Sequence, residues 1–246
     1  MDDETLDTID RFWARSLGCD RGKLEGAESG IFVRKRRTSY TENHSQTDVD
    51  ILLKKEQKLV SSSEEARARL ENLGDLRDID ISYTSLQEAG LELEELLGPA
   101  FLAYADESSF ESVPDQEVYR LTSEDKSELE GLVEESDAEE IDNSIGDKDP
   151  ETDIMFGRFV DEELAAVSDY KVWDEEIAFI SVFVSKDYRG RGFGKEAVSR
   201  AAEHSLENGL IPSYRTLEKW SASVNLAKSL GFEKYATTYL LKLKEK

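Results

Sequence analysis

The chain has 246 residues, 38% hydrophobic and 35% charged, a polar but globular composition with room for one large domain or two small ones. No apolar run is long enough to span a bilayer, the acidic start MDDETLDTIDRFW has no apolar signal core, and the single cysteine, Cys19, excludes an internal disulfide framework and a cysteine-based zinc site. A net charge of −24, from 55 Asp and Glu against 31 Lys and Arg spread along the chain, disfavours nucleic acid and anionic membranes as partners and fits adaptation to high salt.

A cytoplasmic address follows by default. Leu6, Ile9, Phe12, Trp13 and Leu17 share one helical face, which Gly18 ends. IFVRKR (31–36) reads as a strand, RTSYTENHSQTD (37–48) as a polar loop containing His44, and DILLKKEQKLV (50–60) as strand. SSSEEARARLENLG (61–74) has serine caps, early acids and a closing glycine, so a helix is predicted. SLQEAGLELEELLG (85–98) is predicted as another helix, and FLAYA (101–105) as a short strand. The polar, proline-containing stretch ESSFESVPDQ (107–116) marks a boundary between domains 1–113 and 114–246.

Beyond it, EVYRLT (117–122) reads as a strand and Ser123 as the cap of a helix over 123–136. After a loop over 143–153 come the strands IMFGRFV, LAAVSDYKVW and IAFISVFV (177–184). The last is apolar on both faces, as a strand buried in the middle of a sheet must be. Phe193, Ala197, Val198, Ala201 and Ala202 then form a helical face, followed by PSYRTL (212–217) as a strand, SASVNLAKSLG (221–231) as a helix and FEKYATTYLLKLK (232–244) as one or two strands. His204 is expected on the solvated side of its helix, and Trp13, Trp173 and Trp220 as core or cleft walls. Two scattered histidines and one cysteine leave no basis for a metal site. The order is that of a mixed α/β (α+β) domain.

The most specific phrase is Tyr188-Arg189-Gly190-Arg191-Gly192-Phe193-Gly194. A Walker loop would need Gly-Lys-Ser/Thr, but Glu196 follows Gly194-Lys195. A dinucleotide fingerprint would need a third glycine where Lys195 stands. The pattern Arg-x-x-Gly-x-Gly, directly after a buried strand and opening a helix, resembles the acetyl-CoA loop of the GNAT superfamily of N-acetyltransferases, with Arg189, Gly192 and Gly194 in its fixed positions. Free N–H groups at the helix start and closely approaching glycine backbone suit a pyrophosphate.

The resemblance implies a GNAT-like central mixed sheet flanked by helices, with an N-terminal α/β subdomain. It also implies acetyl-CoA as cosubstrate, without a metal. The donor would be bound by Val182, Phe183, Val184, Arg189, Gly190, Arg191, Gly192, Phe193, Gly194 and, on the following helix, Ser223. The implied acceptor is an amine of a small molecule or protein, and the implied assembly a monomer or homodimer. In the family's second motif the asparagine position holds Trp220 and the tyrosine position, often the acid toward the leaving thiolate, holds Ala227. Glu176 is the candidate base and Tyr235 the favoured acid, beside Tyr214 and Tyr239. An acyl-CoA-binding sensor without catalysis is the rival reading.

Overall fold

The computed structural model describes residues 1–26, 28–34, 47–73, 79–114, 117–137, 140–141, 144, 146 and 148–244. His44, most of the polar loop around it, the end of the strand expected at 31–36 and parts of 143–153 lie outside the described residues. The elements are mixed α and β and form two compact units. One comprises Asp2–Leu102, Thr216–Ser221 and Lys234–Lys246; the other comprises Met1, Ala103–Arg215 and Ala222–Glu233.

The first unit begins with helix α1 (Asp3–Leu17). The Asp2 side chain accepts from Thr5 N, acids fill the first turn, and Gly18 at φ 78 ends it, so both helix termini are satisfied locally. Ile9, Phe12, Trp13 and Leu17 are buried, the face legible in the sequence. Past α1, Cys19 is half-buried, and burial pushes its thiol up to about 11. Helix α2 (Gly22–Glu25), strand β1 (Gly30–Val33), the hairpin of β2 (Val49–Lys54) and β3 (Gln57–Ser62), α3 (Glu64–Leu70) and α4 (Tyr83–Glu88) follow, then β4 (Leu93–Tyr104). The last strand of the chain, β10 (Glu233–Leu243), pairs antiparallel with β2, Tyr239 opposite Ile51. The strand order here is β1-β3-β2-β10-β4, over a core that includes Val49, Val60, Leu70, Leu86 and Leu241.

The helix expected over 85–98 is a correction. It stops at Glu88, Gly90 turns at φ 95, and the rest continues as β4. Leu91 and Leu93 are buried while Glu92 and Glu94 are exposed, a period of two. Pairing in a sheet overrides the helix preference of Leu and Glu.

The second unit contains β5 (Val118–Arg120), α5 (Lys126–Glu134), β6 (Ile154–Val160), β7 (Glu163–Trp173), β8 (Ile177–Val184), α6 (Phe193–Glu207), and all but the last two residues of β9 (Ile211–Leu217) and the first of α7 (Ser221–Ser229). Its strand order is β9-β8-β7-β6-β5, antiparallel throughout except for the parallel pair β8–β9. Thr122, rather than Ser123, caps the turn before α5, in a capping box with Asp125. The hairpin links place Asp161, Glu162, Asp174 and Glu175 at positive φ, as short hairpin turns require.

Each face of this sheet has its own helix. Phe193 and Ala197 of α6 pack with Val184 and Ala166 on one face. Leu129 and Leu132 of α5 pack with Val167 and Phe183 on the other. Even-numbered side chains of β8 therefore meet α6 and odd-numbered ones face away from it. His204 turns to the sheet instead of the solvent: its Nδ1 is 2.8 Å from the Tyr170 hydroxyl and its ring packs near Phe156. Trp13 and Trp173 are core residues, whereas Trp220 is 45% exposed. Among the described residues no helix is long and apolar enough to cross a membrane, and no group of three or more His, Cys, Asp or Glu side chains could hold a metal ion.

Candidate functional site

The site starts from a mismatch in strand length. β9 pairs with β8 from Ile177↔Ile211 to Ile180↔Tyr214 and no further, while β8 runs on to Val184 beside β7. Ladder parity decides which backbone groups this exposes. Ser185 N donates to Ala165 O (3.0 Å) and Ser168 Oγ donates to Ser181 O (2.7 Å), so odd residues turn to β7. Ile211 N donates to Glu176 O (2.9 Å), so even residues turn to the β9 side. Val182 and Val184 thus direct their amides to an edge that β9 has left, a template for an extended ligand to add as a strand. Phe183, expected beside them, turns its backbone to β7 and buries its ring against α5.

The loop next to this edge ends in an open helix terminus. Gly190 (φ 74) and Gly192 (φ 92) are left-handed, and Gly192 is the N-cap of α6. A glycine cap has no side chain to occupy the terminus, and the first intrahelical bond here is Glu196 N to Gly192 O (3.1 Å). The N–H groups of Phe193, Gly194 and Lys195 consequently point out of the positive end of the helix dipole. Gly194 is required for a different reason: a Cβ there would stand 2.8 Å from Val184 Cγ2, so only glycine lets α6 approach the open end of β8 this closely. A cleft of about 220 Å³ adjoins the terminus, lined by Ser112, Val113, Pro114, Gly192, Lys195 and Glu196.

The two loop arginines differ in task. Arg189 is anchored: Nε donates to Val184 O (3.0 Å), and Nη2 lies 2.7 Å from Glu140 Oε2, a hydrogen bond that lowers the Glu140 carboxyl pKa. It clamps the loop to the end of β8. Arg191 is exposed, its guanidinium over the Tyr188 and Phe193 rings at 5.4 and 4.9 Å, and it is the freer cation beside the helix terminus.

Ser223, in the first turn of α7, holds the Tyr214 hydroxyl at 2.9 Å. Tyr214 sits at the last β8–β9 rung, and burial raises its pKa, so the phenol stays protonated. Ala227, in the place of the motif tyrosine, is fully buried. Tyr235 lies elsewhere, in the first unit, where its hydroxyl donates to Asp10 Oδ1 (2.5 Å), which also accepts from Lys54 Nζ (2.5 Å). Glu176 stands in the turn before β8, five residues ahead of Ser181 and so about 16 Å along the strand from where the edge opens. The residue the sequence reading missed is Asp169, 1% exposed in β7 opposite Ser181. A lone acid in the middle of the apolar strand LAAVSDYKVW was the available signal.

Residues 116–232 match the model of the acetyltransferase (GNAT) family. No curated protein matches the chain. Among solved structures, the chain is similar to a GNAT-family protein from Novosphingobium aromaticivorans (21% identity, 64% of this chain and 69% of that one, TM-score 0.49). It is also similar to an acetyltransferase of the GNAT family from Colwellia psychrerythraea (15%, 62% and 59%, 0.49) and to a GCN5-related N-acetyltransferase from Kribbella flavida (15%, 66% and 63%, 0.46). The chain therefore spans less than two thirds of the length of the latter two.

Proposed function

We propose that the chain, whose residues 116–232 match the model of the acetyltransferase (GNAT) family, transfers an acetyl group from acetyl-CoA to a primary amine by direct attack in a ternary complex. The observation that carries the reading is the free edge of β8 at Val182 and Val184, continuous with the glycine-capped start of α6. Acetyl-CoA supplies the acyl group as a thioester. The α6 terminus and Arg191 fit its pyrophosphate, and the β8 edge fits the amide-bearing pantetheine arm. An amide of Val182 or Val184 donates to the thioester oxygen as negative charge develops there.

Tyr214 takes the part of the acid. Its neutral hydroxyl stands where β8 and β9 part, oriented by Ser223, and gives a proton to the departing sulfur. Tyr235 is engaged with Asp10 and is not needed for this step. The acceptor is a cation in keeping with the charge of −24, such as a polyamine, an aminoglycoside or a protein amine.

The buried Ala227 in place of the motif tyrosine favours a second reading, a sensor that binds acyl-CoA without turnover. Thiol release from acetyl-CoA over a panel of primary amines separates the two. Release with at least one amine supports the transferase; saturable binding with no release over the panel supports the sensor. Tyr214→Phe is expected to lower kcat about 100-fold with the KM for acetyl-CoA unchanged. A wild-type kcat in this variant would remove Tyr214 from the chemistry.

A further inference from the structure

Asp169 and Ser181 face each other across β7 and β8 as a hydrogen-bonded pair, with side chains on the face away from α6. At such a position the two Cβ atoms are about 5.5 Å apart. β8 lies between Asp169 and the open edge, so the half-buried Ser181 stands between that edge and the carboxylate. Lys148 Nζ, 3.0 Å from Asp169 Oδ1, is the charged partner of this carboxylate, while Oδ2 accepts no hydrogen bond from any described residue. A carboxylate withdrawn from water is costly to stability even when a single cation pairs with it. Its retention in the middle of an apolar strand, one strand from the candidate thioester, points to a use beyond folding.

Resting on the acyltransferase reading, we propose that Asp169 is the final proton acceptor for the incoming amine, reached through the Ser181 hydroxyl. The acceptor ammonium gives one proton to Ser181 Oγ as Ser181 passes its own to Asp169. The neutral amine forms the new C–N bond, the C–S bond breaks with its electron pair on sulfur, and sulfur takes the Tyr214 proton. The second proton shed by the nitrogen restores Tyr214. Burial first of all pushes the Asp169 carboxyl up to about 6; Lys148 pulls it down and Asp153 pushes it up. Met155 of β6 stands opposite Asp169 in the sheet, and Lys171 is the next residue of β7 on the same face.

The test is the pH profile of kcat for thiol release from acetyl-CoA, with a primary-amine panel that includes spermidine and a lysine-containing peptide. Wild-type activity is expected to rise through a limb near the Asp169 value of about 6, because only the carboxylate accepts a proton. Asp169→Asn should lose that limb and about 100-fold in kcat while the KM for acetyl-CoA holds. Lys148→Met should move the limb to higher pH, a displacement that a purely structural lysine would not produce. A wild-type profile in Asp169→Asn overturns the proposal. Should that variant fail to fold, an unmoved limb in Lys148→Met overturns it. Acetyl-CoA binding without release over the whole panel overturns the proton route and leaves the donor site standing, whereas no binding of acetyl-CoA to the wild type overturns the acyltransferase reading itself.

Discussion

Gly192→Val is expected to weaken acetyl-CoA binding about 100-fold or more in a protein that still folds. Gly192 is at φ 92, where a β-branched residue is strained by about 1–3 kcal/mol, and it caps α6 with no side chain in the way. Nothing lies within 4 Å of an added Cβ, so the substitution meets no packed neighbour. The damage is local: the cap shifts or the valine covers the N–H groups of Phe193, Gly194 and Lys195. Calorimetric titration reads the affinity, and a thermal melt displaced by only a few degrees shows that the fold survives. Unchanged affinity in a folded variant would mean that the donor does not use this terminus.

Gly231→Ala is expected to have the largest effect on stability, more than about 3 kcal/mol, or roughly a 10 °C fall in melting temperature. Gly231 follows α7 at φ 82, and a Cβ there would overlap the carbonyl oxygen of Ser109 and stand 2.8 Å from its carbon. The obstacle is backbone, which cannot swing aside as a side chain can. The contact is also functional in consequence. Glu111 N donates to Leu230 O at 3.0 Å in the same place, and the chain continues to Ser112, Val113 and Pro114 at the cleft beside α6. A thermal melt within about 1 °C of the wild type would show that this segment yields easily.

The glycine loop before α6 was legible because its residues answer local backbone demands. Gly190 and Gly192 are needed at positive φ and Gly194 for close approach to Val184, and such demands appear in sequence as fixed glycines. The central position of β8 was legible for a similar reason, since apolar residues on both faces suit only an interior strand. What the sequence did not show depends on pairing. The helical propensity of LELEELLG concealed β4, because the partner strand that overrides propensity is distant in the chain. Which of Val182, Phe183 and Val184 turn their amides outward follows only from ladder parity. The engagement of Tyr235 with Asp10 and the burial of Asp169 opposite Ser181 both rest on register between segments far apart in sequence.

Titration of the wild-type protein with acetyl-CoA, in parallel with Gly192→Val, tests the central claim most directly. The open edge of β8 and the glycine-capped terminus of α6 predict saturable one-to-one binding that the variant loses. Absence of saturable binding to the wild type, or equal binding by the two proteins, would contradict it.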